Sequence, residues 1–214
     1  QLRYLSLLSE QYPTVQDVCT EIINLKAILN LPKGTEHFMS DLHGEYEAFL
    51  HILNNCSGVV REKVDLAFGD VLSAQQRSEI CTLIYYPEQK LKMVKAECPD
   101  LDEWYRVTLL RLLEITQLVA SKYTRSKVRK AMPEDFRYIM DELLHTQAHE
   151  HDNQRVYHSQ ILDTIISIQN AEEFILALTV VIKRLAVDRL HIVGDIFDRG
   201  NGAHKVMDAL TQYN

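Results

Sequence analysis

Two short stretches carry the residues able to do chemistry. Met39-Ser40-Asp41-Leu42-His43-Gly44 sets a carboxylate and an imidazole one residue apart, at the end of an apolar run. Residues i and i+2 of an extended chain face the same side, so Asp41 and His43 can grip one borderline divalent cation together. Gly44 then permits a tight turn. In His191-Ile192-Val193-Gly194-Asp195-Ile196-Phe197-Asp198-Arg199-Gly200 a second apolar run ends in Gly-Asp. A carboxylate at a strand end can bridge two cations. Arg199 can clamp a phosphate through paired N–H donors, and Asp198 can orient a histidine or a ligand from behind. Either stretch alone has an ordinary explanation: a helix-capping loop carboxylate, or a surface turn with an ion pair. Two such loops in one chain point to a site that handles metal and phosphate.

For the loops to meet, two strands must lie side by side. Asp41 and Asp195 are 154 residues apart. A plain strand–helix–strand unit needs about 30, so roughly 120 residues are inserted. No glycine occurs between Gly69 and Gly194, and glycine punctuates turns, so the insert reads as helix after helix. The pattern predicts a helix from Thr14 to about Asn30, with Val15, Val18, Cys19, Ile22, Ile23, Leu25 and Ile28 as its stripe. A short buried strand follows at 37–41, then a helix from Gly44 to Asn54. Ser73 with Gln76 forms a capping box for a helix to about Tyr86, and Pro87 opens another at its first turn. Pro99-Asp100 precedes a long helix with Leu101, Trp104, Val107, Leu110, Leu113 and Val119 inward. Pro133 opens the next, with Phe136, Ile139, Met140 and Leu143 inward. Helices at about 157–168 and 171–186, a strand running into loop at 188–195, and a helix from Ala203 to Tyr213 complete the chain. The fold class is helix-dominated α/β: a partial βαβ core with a large all-helical insertion. We divide it into 1–56 (N-terminal helices and first strand-loop), 57–186 (insertion) and 187–214 (second strand-loop and helix).

Composition sets outer bounds. The chain has 214 residues, 46% hydrophobic and 25% charged, as in a folded domain. Seven glycines and five prolines are too few turn-formers for a many-stranded sandwich or barrel. A net charge of −7 disfavours nucleic acid and anionic membranes as partners. No apolar stretch reaches the length of a membrane-spanning helix. Cys19, Cys56, Cys81 and Cys98 are scattered with no C-x-x-C. They read as buried, inert thiols in a reducing, cytoplasmic compartment. The chain begins without Met and without a secretory apolar segment, so it reads as a fragment or a trimmed piece.

The pair of loops resembles the calcineurin-like metallophosphoesterases, whose pattern is D-x-H, then G-D-x-x-D-R-G, then G-N-H-D/E, then two later histidines. The wider text, Phe38-Met39-Ser40-Asp41-Leu42-His43-Gly44-Glu45-Tyr46-Glu47-Ala48-Phe49 and Leu190 through Gly200 with a helical stretch between, is similar to the class III fructose-1,6-bisphosphatases of bacteria. The Tyr4-Leu5…Leu8…Tyr12-Pro13-Thr14 stretch looks similar too. The likeness spans the whole chain but only the N-terminal part of that longer family.

The resemblance implies that Asp41 and His43 bind a first metal and that Asp195 bridges two. It implies that Arg199 contacts the substrate phosphate, and that Asp198 supports the histidine of the Asn-His motif. It further implies two divalent cations, typically manganese, and hydrolysis of the 1-phosphate of fructose 1,6-bisphosphate in gluconeogenesis. No Gly-Asn-His occurs here, and the chain stops at Asn214, about where the next strand should begin. We therefore expect the second metal's ligands to be missing and this chain alone to be inactive.

Two other readings stay open. One is another calcineurin-like enzyme, a protein phosphatase or a dinucleotide polyphosphate hydrolase. The other is a non-catalytic helical interaction module. The insertion is a candidate for capping the site, for homo-oligomer contacts, or for binding a small-molecule effector. The basic run Lys122–Lys130 reads first as a solvated helix boundary, with a phosphorylated effector as the sharper alternative. His145, His149 and His151 read as a polar helix end rather than a zinc motif. Trp104, Tyr85 and Tyr86 read as packing residues.

Overall fold

The computed structural model describes residues 1–145 and 152–212. The described chain runs α1 (Leu2–Gln11), α2 (Val15–Ile28), β1 (Glu36–Met39), α3 (Tyr46–Asn55), α4 (Val59–Phe68), α5 (Ala74–Tyr85), α6 (Pro87–Glu97), α7 (Leu101–Ala120), α8 (Arg125–Ala131), α9 (Arg137–Leu144), α10 (Asp152–Ser167), α11 (Ala171–Ala186), β2 (Arg189–Ile192) and α12 (Ala203–Thr211). Helix starts follow local chemistry. The Ser73 hydroxyl accepts from the Gln76 N–H while the Gln76 side chain accepts from the Ser73 N–H. Pro87 stands at the first position of α6, and Asp100 accepts from the Glu103 N–H to open α7.

Two separate apolar cores result. The larger lies within 56–187. Its axis is α11 packed along α7, a helix of 20 residues and so about 30 Å long. Phe174, Ile175, Leu178, Ile182, Leu109, Leu112 and Ile115 are its fully buried centre. The smaller core holds Met39, Leu42, Phe49, Leu53 and Val206. It lies between α3, α12 and one face of a two-stranded parallel sheet, in which Glu36 pairs with Arg189 and Met39 with Ile192. The helical body is thus the connection between two adjacent parallel strands.

The cores are clasped at Asp188. Its carboxylate accepts from the Tyr123 hydroxyl at 2.5 Å and from Lys127, and its N–H donates to Thr35 O at 2.8 Å. Lys122 donates to Thr35 Oγ1 at 2.8 Å. Burial acts to raise the Asp188 pKa, but the Lys127 and Tyr123 hydrogen bonds and the Lys127 and Lys122 charges outweigh it and hold the carboxyl below its ordinary range. Burial first, then Asp188, push the Tyr123 hydroxyl up.

Several expectations are corrected. The α2 stripe faces solvent: α2 carries no buried residue, because among the described residues no other element packs closely over it. Cys19 is exposed for the same reason, while Cys56 and Cys81 are buried. Leu110 is exposed because α7 buries Leu109, Leu112 and Leu113, whose face lies away from it. The first strand is buried on one face only: His37 and Met39 point in, and Phe38 is 61% exposed. Helix α10 is already formed at Asp152, ahead of the start at about 157 that its periodicity predicts. Helices α1, α4 and α8 lie where no helix was assigned. The basic run largely serves the fold. Besides Lys122 and Lys127, Arg125 and Arg129 both face the buried carboxylate of Asp141, at 2.9 and 3.6 Å. His145 approaches Asp141 as well, whereas His149 and His151 lie outside the described residues. No single helix among the described residues is long and apolar enough to cross a membrane.

Candidate active site

The two chemistry-bearing loops leave adjacent strands and run side by side. Apolar residues between the reactive ones hold them down: Leu42 is buried between Asp41 and His43, and Ile196 packs on the same core beside Asp195. The backbones then pair across the gap. Val193 N–H donates to Met39 O at 2.9 Å, and Leu42 and His43 N–H both donate to Asp195 O, at 2.7 and 3.0 Å. Further out, Gly200 N–H donates to His43 O at 2.5 Å and Gly202 N–H to Gly44 O at 3.0 Å. This approach requires glycine. A β-carbon on Gly194 would lie 2.1 Å from Asp41 Oδ1 and 2.6 Å from the Asp41 nitrogen. Gly44 has φ +69°, and a β-carbon there would lie 2.5 Å from Gly200 O. His43 itself has φ 48°, a left-handed conformation that histidine adopts more readily than most residues.

All five expected site residues are brought to this corner. Asp41 and Asp195 are exposed, and the Asp195 N–H donates to Asp41 Oδ1 at 3.0 Å. His43 Nδ1 lies 2.5 Å from Asp198 Oδ1. A carboxylate only accepts, so Nδ1 carries a proton, and Nε2 is the ring nitrogen left to offer a lone pair. The hydrogen bond from His43 is the main reason the Asp198 carboxyl is held below its ordinary range. Asp198 was expected to support a histidine of the Asn-His motif; the histidine it meets in this chain is His43. The Arg199 side chain is 74% exposed and approaches Asp198 Oδ2 at 3.6 Å, so its fork remains open to an anion. The role of Gly194 as the point of closest approach is not legible in the sequence, because its neighbour Asp41 is 153 positions away; the Gly-Asp dipeptide is the available signal.

The donors suit a borderline cation: two carboxylates and an imidazole whose other nitrogen is tied to a carboxylate, the usual arrangement behind a metal-binding histidine. They fit in kind but fall short in number. Among the described residues no cluster of three His, Cys, Asp or Glu side chains is gathered closely enough to hold a metal ion.

The comparisons follow the same lines. The model of the Firmicute fructose-1,6-bisphosphatase family matches residues 3–214. Over 213 of its 214 residues the sequence is 57% identical to the class 3 fructose-1,6-bisphosphatases of Clostridium acetobutylicum and Bacteroides thetaiotaomicron. It is 56% identical to that of Phocaeicola vulgatus. The chain spans about a third of the length of these curated relatives, 32% in each case. No solved structure matches it. With nearly every residue matched, the chain belongs to the Firmicute fructose-1,6-bisphosphatase family.

Proposed function

We propose that this chain is the strand-end part of the active site of a dinuclear metal phosphatase that removes the 1-phosphate of fructose 1,6-bisphosphate, within a longer polypeptide. In this reading Asp41 and His43 hold one cation, Asp195 is shared between two, and manganese is the physiological metal. When bound, such a pair lowers the pKa of water and neutralises phosphoryl charge. The chain's own residues do the positioning. Asp198 fixes the His43 tautomer and ring, so that Nε2 is presented without a rotamer search. The Asp195 N–H holds one Asp41 oxygen in place and leaves the other for coordination. Arg199, exposed beside two glycines, clamps two phosphoryl oxygens with its fork.

The observation that carries the reading is the locking of the two loops, residue against residue, by backbone bonds across Gly194 and Gly44. A solvated turn has no need of such register. We also propose that 57–186 is an insertion into the 1–56 and 187–214 core; the two separate apolar clusters support that division. Oligomer formation through the insertion, and a cytoplasmic location, remain part of the proposal.

The test is phosphate release by the full-length protein with added Mn²⁺, across fructose 1,6-bisphosphate, a phosphopeptide and a dinucleotide polyphosphate. The sugar bisphosphate should be preferred. Asp198→Asn should cost about 10- to 100-fold in activity, as for other partners of metal-binding histidines, and Asp195→Asn more. Preference for another substrate overturns the substrate assignment, and full activity of Asp195→Asn overturns the site.

A further inference from the structure

Helices α1 and α2 carry no buried residue, yet both are patterned to be covered. At 100° per residue, Val15, Val18, Ile22, Ile23, Leu25 and Ile28 spread over roughly 220° of α2, and Leu2, Leu5 and Leu8 share a face of α1. Val15 is 81% exposed, Ile23 68% and Leu25 51%. This exposure is not fraying. Thr14 and Asp17 close the N-terminus of α2 with a full capping box, Thr14 N–H to Asp17 Oδ2 at 3.0 Å and Asp17 N–H to Thr14 Oγ1 at 3.1 Å. A second apolar surface is also uncovered. The face of the sheet opposite the small core shows Phe38 at 61% and, just past β2, Val193 at 69% exposure. Parallel sheets are ordinarily covered on both faces.

We infer that α1 and α2 are an intramolecular docking surface, buried by the further polypeptide that the longer relatives carry rather than by a second copy of this chain. Two observations choose this occupant. The matched relatives are about three times as long as this chain, which covers 32% of each, so ample polypeptide of the same molecule is available. The α2 stripe is also too wide for a two-helix seam, which uses a narrower line of contacts; it suits a helix laid on a folded body. The bare sheet face asks for cover from the same source.

The test compares hydrogen exchange and Cys19 alkylation in the full-length protein and in the 214-residue chain. Cys19 lies on the α2 stripe and is exposed here, so it reports covering directly. In the full-length protein the α2 amides should be protected about 100-fold or more relative to the short chain, and Cys19 should alkylate at least about 10-fold more slowly. The pair Ile22→Glu with Ile23→Glu should lower the full-length melting temperature by about 5 °C or more and leave the short chain within about 1 °C. Any self-association of the short chain should leave α2 and Cys19 as open as in its monomer. The inference fails if α2 and Cys19 are as open in the full-length protein as in the short chain. It also fails if the short chain is a dimer that protects α2 and that the double substitution dissociates.

Discussion

Gly194→Ala tests the geometry of the site at its tightest point. The new methyl carbon would lie 2.1 Å from Asp41 Oδ1, 2.6 Å from the Asp41 nitrogen and 2.9 Å from the Asp41 α-carbon. Ordinary contact begins near 3.5 Å, so the loops must separate by about 1 Å. The carboxylate can swing away; the backbone nitrogen cannot. Separation stretches three hydrogen bonds: Asp195 N–H to Asp41 Oδ1, and Leu42 and His43 N–H to Asp195 O. Overpacking costs about 1–3 kcal/mol, and the three bonds, stretched rather than lost, add about 1 kcal/mol between them, so about 2–4 kcal/mol in all is expected. That cost falls on the small core. At about 1.4 kcal/mol per decade, amide exchange of 38–43 and 190–195 should accelerate about 30- to 1000-fold. The helical circular-dichroism melt, governed by the larger core, should move little. Gly58→Ala is the control: a β-carbon there meets no atom within 4 Å. It costs only the left-handed φ of +85°, about 1 kcal/mol, and should not affect the strands. Exchange in Gly194→Ala within about threefold of the parent would refute the close approach.

Three further outcomes follow from the same structure. Asp188 is held below its ordinary pKa when folded, so its stabilisation is complete above the unfolded value of about 3.9 and is lost as pH falls through that value toward the folded one. Thermal melts should weaken below about pH 4, and Asp188→Asn should cost about 1–3 kcal/mol at pH 7 while flattening that acid limb; an unchanged limb would exclude Asp188 as a source. With a disulfide reagent, Cys19 should react first and Cys98 more slowly. Cys56, pushed up to about 11 by burial, and Cys81, raised by burial, should react only on unfolding; simultaneous reaction of all four thiols would contradict the packing. The 214-residue chain with Mn²⁺ should release no phosphate from fructose 1,6-bisphosphate above background, since its described donors do not gather into a three-ligand group; robust turnover would overturn that.

What could be read from the residues was local in origin. Ser73 and Gln76, Pro87, and Asp100 mark helix starts because the capping partners lie within three positions of each other. The glycine-free stretch forecasts a helical body, since tight strand turns lean on glycine while helices can be joined through Pro, Asn and Ser. Asp41, His43, Asp195 and Asp198 stood out because strand-end loops with those donors are chemically specific. Periodicity also placed apolar stripes on α2 and α7. It could not say which would be covered: Leu110 and Ile23 carry the same side-chain chemistry as Leu112 and Ile182, which are buried, and end in water.

Residue types and spacing therefore determined the reactive groups, the helical character and the two strands, because these depend on interactions within a few positions. Only the tertiary structure decided that Asp198 meets His43 across 155 positions, that Gly194 admits Asp41, and that Asp188 ties the two cores through Tyr123 and Lys127. Those contacts join segments far apart in the chain, and their energies arise only when both cores have folded and closed on one another.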